Sequence, residues 1–353
     1  MDSCIGSKLA TVLAWTALCT LALGGKLMAA DFPQAEISNG LIRIKLYLPD
    51  AEHGYYRGTR FDWSGVIASL EYKGHNFYGP WFDSVDAKVH DYAYVGSEVV
   101  ASLCSAMSGP ADEFQSNQAA LGWKEAKVGG TFIKIGVGVL RKDAEKYNYV
   151  KQYELVDGGK WAVKRHADSV EFAQELSDPS SGYAYIYRKT VRLVEGKPEM
   201  VLEHSLKNTG RRAIQSAVYN HNFLVLDNQP PGPDFSISVP FEIHPLQPPD
   251  KVLAEVQGNH IVFLKPLENQ DVVEIPFRGF GPTPKDYDIR IENRKVGAGM
   301  RIRGDCPLSF VNFWSMRRVL SMEPFISMSI DPGKEFTWNA FYEYYAFQTA
   351  HIR

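Results

Sequence analysis

The sequence is poor in several features that would point to specific chemistries. Of its four cysteines, Cys4 and Cys19 lie in an apolar N-terminal segment, leaving Cys104 and Cys306 for the rest of the chain. Those two either pair in an oxidising compartment or sit apart in buried positions, and they are too few for a cysteine metal site. Charge of one sign is lacking too: 38 Lys+Arg against 41 Asp+Glu give a net charge of -3, and the nine histidines are scattered. No basic surface for a nucleic-acid partner follows from such a balance. Internal repeats and low-complexity tracts are absent, and no linker splits the chain after its N-terminal segment.

Long apolar runs are lacking as well. "LATVLAWTALCTLAL", Leu9 to Leu23, follows Lys8 and falls short of the roughly 20 residues that cross a bilayer. With "GGKLMAA" behind it and a polar start at Asp31, it reads as a secretory leader over residues 1–30, cleaved near Ala30 or, in competition, near Gly25. Leu18 precedes Cys19 where a lipidation signal wants a small residue. The expectation is a secreted or periplasmic protein with no stable membrane anchor.

Helical periodicity is nearly missing: only "SVEFAQEL" and "ADEFQSNQAALGW" suggest short helical turns. Period two takes its place. "LIRIKLYL" alternates Ile42, Ile44, Leu46 and Leu48 with polar or amphipathic residues, as a half-buried strand does. "YAYIYRKTVRLVEGKPEMVLEHSLKNTG" holds two such runs around "EGKP", a hairpin pattern. In its second run Met200, Leu202, His204 and Leu206 share one face, which makes His204 a core or rim histidine of a sheet. With 29 glycines and 20 prolines spread between short runs, the fold class expected is all-β: one large antiparallel β-sandwich over residues 31–353.

Aromatic residues make up 12% of the chain and several keep polar, loop-like company, as in "GYYRGTRFDW", "GHNFYGPWFD" and "HDYAYVG". Such rings either cap the ends of the core or serve as platforms for sugars, which present an apolar face and many hydroxyls.

Two stretches give this composition a direction. "VYNHNFLVLDN", which contains His221, resembles the "NHSYFNL" signature of galactose mutarotases (aldose 1-epimerases), in which an Asn-His pair ends an active-site strand. "LSMEPFISMSIDPGKEFTWNAFYEY", which contains Glu323, resembles that family's C-terminal pattern of a strand glutamate, a "PG" turn and an aromatic last strand. The order of the two also matches, and the resemblance runs mainly from Tyr183 onward. The N-terminal half departs more. The family's "GRYANR" segment is matched loosely by "YRGTRFDW", and its first active-site histidine has two candidates, His75 and His90.

The resemblance implies a galactose mutarotase-like sandwich that interconverts the anomers of a free neutral sugar, with a monosaccharide or small saccharide as partner. That chemistry takes a proton from the anomeric hydroxyl and gives one to the ring oxygen, and needs no metal or other cofactor. It maps His221 as the acid, a residue type whose proton is exchangeable near neutral pH. Glu323 maps as the base, and its own strand supports a ligand-facing position. Ser321, Phe325, Ser327 and Ser329 share its face while Met322, Ile326, Met328 and Ile330 take the other. An acid and a base on opposite sides of one sugar is the expected arrangement. The resemblance further assigns Arg60 to substrate contact, Asn220 to orienting the histidine, and Asp288, two residues from Asp286, to a sugar hydroxyl; turn and strand-end roles compete for all three. A non-catalytic carbohydrate-binding sandwich and another carbohydrate-active enzyme, a lyase or hydrolase, are the alternatives. A hydrolase wants a carboxylate pair flanking the bond, and Asp112 and Glu113, adjacent on a strand, point apart.

Overall fold

The computed structural model describes residues 32–116 and 118–348, so the expected leader lies outside the described residues. Two antiparallel sheets dominate. Among the described residues the larger has ten strands, in the order Lys160–Arg165, Ser169–Asp178, Tyr183–Leu193, Glu199–Asn208, Glu335–Ala346, Ala298–Gly304, Asp288–Asn293, Phe235–Ser238, His260–Phe263 and Ala254–Gln257. The smaller has six: His244–Pro245, Val272–Arg278, Phe310–Met316, Val319–Ile330, Ile214–Phe223 and Gly109–Gln115. Shorter strands from the N-terminal half add three minor sheets among the described residues. The expected all-β sandwich is what the chain forms.

The period-two runs behave as their patterns require. Ile42, Ile44 and Leu46 are buried in strand Ile42–Tyr47, and the hairpin around "EGKP" joins Tyr183–Leu193 to Glu199–Asn208 in continuous antiparallel register. The two stretches read as helical turns are corrected. Ser169–Asp178 is a ten-residue strand, and Gly109–Gln115 is a seven-residue one, with Ser116 in a bridge and turns and bridges over residues 118–123 after it. In the first, Val170, Phe172, Gln174 and Leu176 point inward. The alternation over the whole segment prevails over helix formers such as Glu and Ala because a neighbour on each side completes the ladder. Cys104 and Cys306 are both free thiols.

Where the two large sheets face one another, the core carries charge as well as hydrocarbon. Lys189 continues the inward series Tyr183, Tyr185, Tyr187 and is fully buried. Its ammonium lies 2.6 Å from Asp112 and 3.4 Å from Asp62, and donates to the Ser64 carbonyl at 3.0 Å. Asp112 also meets His204 Nε2 at 3.2 Å and accepts from Asn220 Nδ2 at 2.6 Å. Tyr187 donates to Asp62 at 3.0 Å. His204, stacked on Trp338 at 4.7 Å between centroids, is thus a core histidine, the first of the two positions its strand pattern allows. Burial alone would raise the Asp112 carboxyl, but Lys189 and His204 outweigh it and hold Asp112 well below the usual carboxylate range.

Removing one partner from such a cluster strands a charge out of water. Lys189→Met is expected to lower the unfolding free energy by about 3–5 kcal/mol in urea titration. Arg192→Met, which breaks a half-exposed pair with Glu203, should change it by less than about 1 kcal/mol. Equal effects of the two would show that the inter-sheet cluster contributes no more than surface charge.

Candidate functional site

The outer face of the six-stranded sheet carries a cavity of about 420 Å³. The strands build its floor through their register. Ile214–Phe223 pairs with Val319–Ile330 from Ile214↔Ile330 to Tyr219↔Phe325, and the Leu224↔Leu320 bridge keeps the same offset. That offset sets His221 opposite Glu323. On the far side Glu323 pairs with Asn312, and Asn312 with Pro276. One transverse row therefore runs Pro276, Asn312, Glu323, His221 across four strands. The next row is Phe310, Phe325, Tyr219 and Glu113.

His221 Nε2 lies 2.9 Å from Glu323 Oε1, and the two residues are only 5% and 6% exposed. Asn312 Nδ2 donates to the other carboxylate oxygen at 3.1 Å, so Glu323 is gripped from both sides. The imidazole lies flat on Phe223, 3.7 Å between centroids and 10° between planes, with Phe61 and Trp314 edge-on at 5.7 and 5.5 Å. Its Nδ1 is buried without a hydrogen-bond partner among the described residues. Packing against aromatic rings, rather than a bond from behind, fixes the plane of the ring.

Arg60 enters the same cavity from a loop and is 9% exposed. Its guanidinium donates to Glu113 at 2.8 Å and to the Tyr219 hydroxyl at 3.3 Å, and lies between the Phe61 and Tyr149 rings at 4.5 and 4.7 Å. Glu113, fully buried, also receives Lys134 at 2.9 Å and the Tyr219 hydroxyl at 2.6 Å. Burial would raise its carboxyl, but Lys134 and Arg60 hold it down at about 2. Glu274, on the cavity wall, is shifted the other way: burial, and then the Glu323 carboxylate, raise its proton affinity.

Of the residues singled out from the sequence, His221, Glu323 and Arg60 line this one cavity. Asn220 does not orient His221. Neighbours on a strand point to opposite faces, and the Asn220 amide faces the other sheet, where it holds Asp112. Asp288 begins a strand of the ten-stranded sheet and accepts from Nε and Nη2 of Arg301, at 2.7 and 2.5 Å, away from the cavity lining. His75 is tied to Asp227 at 2.7 Å, and His90 is exposed and accepts from Asn148 at 3.1 Å. Neither lines the cavity, where His221 is the single histidine among the described residues. The acid and base expected across a sugar's width are in direct contact instead.

Asn312, Glu274, Tyr219 and Trp314 were not singled out from the sequence, yet they share the cavity. A signal for two of them exists in "FVNFWSM", where Phe310, Asn312 and Trp314 alternate with buried residues one strand away from Glu323.

Depression of the Glu113 carboxyl has a pH consequence. A group whose folded pKa lies below its unfolded value stabilises the protein above the unfolded pKa, and that stability is lost as pH falls through the folded one. Between about pH 5 and pH 2 the unfolding free energy of the native protein should therefore fall more steeply than that of Glu113→Gln. Urea titrations at several pH values measure the difference, and parallel slopes would show that Lys134 and Arg60 do not hold the carboxylate ionised.

No protein-family model matches the chain, and no curated protein matches it by sequence. Solved structures do. It is similar to a galactose mutarotase related enzyme from Lactobacillus acidophilus, with 13% identity, TM-score 0.51, and 89% of this chain and 98% of that one covered. A GalM/aldose epimerase homologue from C. elegans shows 15% identity and TM-score 0.51 over 89% and 99%. A galactose mutarotase-like protein from Clostridium acetobutylicum shows 9% identity and TM-score 0.52 over 88% and 95%. At these identities the shared property is architecture, and the chain has the galactose mutarotase-like β-sandwich fold.

Proposed function

We propose that this protein is an aldose 1-epimerase-like isomerase that opens and recloses the ring of a free, neutral sugar. The observation that carries the reading is the 2.9 Å contact between His221 and Glu323 on the floor of an aromatic-lined cavity. The two oxygens that exchange protons in this reaction are bonded to the same anomeric carbon, so an acid and a base side by side can serve both. Opposite sides of the sugar are not required.

The proton balance closes within the pair. The reaction requires Glu323 as the proton acceptor and His221 as the proton donor. As Glu323 takes the proton of the anomeric hydroxyl, the C1–O5 bond breaks, C1=O1 forms, and His221 Nε2 delivers its proton to O5. Rotation about C1–C2 and the reverse steps give the other anomer and restore both groups. The Asn312 bond to Glu323 aims the carboxylate, and the Phe223 stack holds the imidazole plane. Arg60 supplies hydrogen-bond donors at the cavity wall beside the aromatic platforms.

A second reading, hydrolysis of a glycosidic bond, draws on Glu274, a carboxyl of raised proton affinity in the same cavity as Glu323. Polarimetry of freshly dissolved α-anomers of glucose, galactose, xylose and mannose tests the main reading. The wild-type protein should outpace buffer on at least one sugar. His221→Ala and Glu323→Gln should each lower the rate by about 10²–10⁴-fold, the usual contribution of one acid or base group. Rates equal to buffer on the whole panel would remove the isomerase reading, and new reducing ends released from an oligosaccharide would select the hydrolase.

A further inference from the structure

The catalytic cavity is one end of a longer cleft. Gln115, Phe310 and Phe325, which line it, also line a second hollow of about 760 Å³ on the same sheet face. Its floor continues the rows already described: Gln115, Ala217 and Ser327 lie side by side across three strands, and Gln215 pairs with Ser329 beyond them. From Glu323 to Ser329 the strand advances six residues, about 20 Å at the usual rise of a strand. That is longer than any single sugar ring.

We infer that this cleft binds a neutral oligosaccharide, with its reducing end at His221 and Glu323 and the following units along Phe325, Ser327 and Ser329. The inference deepens the proposed function by naming its substrate class. None of the side chains lining the second hollow is charged, so nothing in it selects uronate, sulfate or phosphate groups. The polar groups it offers are amides and hydroxyls, from Gln115, Gln118, Gln215, Ser327 and Ser329. These both donate and accept, as sugar hydroxyls require. Phe325 stacks on Tyr219 at 4.2 Å and takes Phe310 edge-on at 5.2 Å, a platform at the junction of the two hollows for the apolar face of a ring. A protein strand is a poorer occupant, because the floor is a sheet face and the outer side of its edge strand Gly109–Gln115 is already bonded at the Asp112 carbonyl by Asp62 N–H. The orientation follows from the chemistry: only the reducing-end unit of a saccharide carries the free hemiacetal that the His221–Glu323 pair acts on.

The test compares tetrasaccharides with their own monosaccharides. Cellotetraose, maltotetraose, xylotetraose and mannotetraose are titrated calorimetrically into the full-length protein beside glucose, xylose and mannose, and mutarotation of each is followed by polarimetry. At least one tetrasaccharide is expected to bind about tenfold or more tighter than its monosaccharide. In Ser329→Trp, which fills the far end, and in Gln215→Ala, that ratio should fall towards one, with circular dichroism showing that both variants are folded. Equal affinities across every pair, a ratio that survives in both variants, or binding of none of these sugars would overturn the inference. Failure here and failure of the isomerase reading are distinguishable. Tight tetrasaccharide binding without mutarotation removes the isomerase and leaves the cleft, whereas mutarotation with no dependence on chain length removes the cleft and leaves the isomerase.

Discussion

The contact between Asp112 and Lys189 is the constraint on which the site depends. It crosses from the six-stranded to the ten-stranded sheet with neither residue exposed to water, and a buried ion pair is tolerated only when its geometry is satisfied throughout. Asp112 has its oxygens committed to Lys189, His204 and Asn220. Its strand therefore cannot slip by one residue without sending that carboxylate to the opposite face. The same commitment turns Glu113 towards the cleft, where Arg60, Lys134 and Tyr219 receive it. On the neighbouring strand, Asn220 bound to Asp112 turns His221 towards the cleft. An inter-sheet cluster with no access to ligand thereby sets which side chains the ligand cavity presents.

The two clusters are also electrically distinct. The inter-sheet group contains two carboxylates, one lysine and a histidine, and within it burial and the charge of Asp112 raise the Asp62 carboxyl despite Lys189. The group around Glu113 has two cations on one carboxylate. Asp91, 3.8 Å from Arg60, balances the second cation, so the guanidinium offers donors where Arg60 enters the cavity, while Glu323 and Glu274 stand on the strands across from it. A polar but uncharged ligand placed between them meets donors on one side and acceptors on the other, the arrangement that orients a polyhydroxyl ring.

Much of the fold was legible in the sequence because period-two alternation is a local property. Ile42–Tyr47 and the hairpin at "EGKP" needed only their own residues. Ser169–Asp178 was harder, since an eight-residue piece of it fits a helix until the flanking strands are known. In the site, His221 and Glu323 were found through motif resemblance, and their faces through alternation. Alternation also contained the means to set Asn220 aside, as an immediate neighbour of His221 faces away from it. Asp288 required knowledge of Arg301 and of which sheet its strand joins, which are long-range facts. Glu274 escaped because a single polar residue in an otherwise apolar strand carries no local mark of which cavity it faces, and Asn312 because the alternation in "FVNFWSM" marks a face but not the strand that lies beside it.

The direct contact of His221 with Glu323 bears on how a sugar enters. Both Glu323 oxygens are already engaged, one by His221 and one by Asn312, so an arriving anomeric hydroxyl must share or replace one of these bonds. The Asn312 bond is made within the sheet by the adjacent strand, in register with Glu323, and ties the carboxylate to the floor. The His221 bond joins the two groups that the proposed reaction uses. Exchanging that one bond for two, from the carboxylate to O1–H and from the imidazole to O5, leaves no buried polar atom of the pair newly unpaired. Under the proposed reaction, substrate entry would substitute hydrogen bonds rather than abolish them, and a pair closed without sugar is compatible with one that opens only around an anomeric centre.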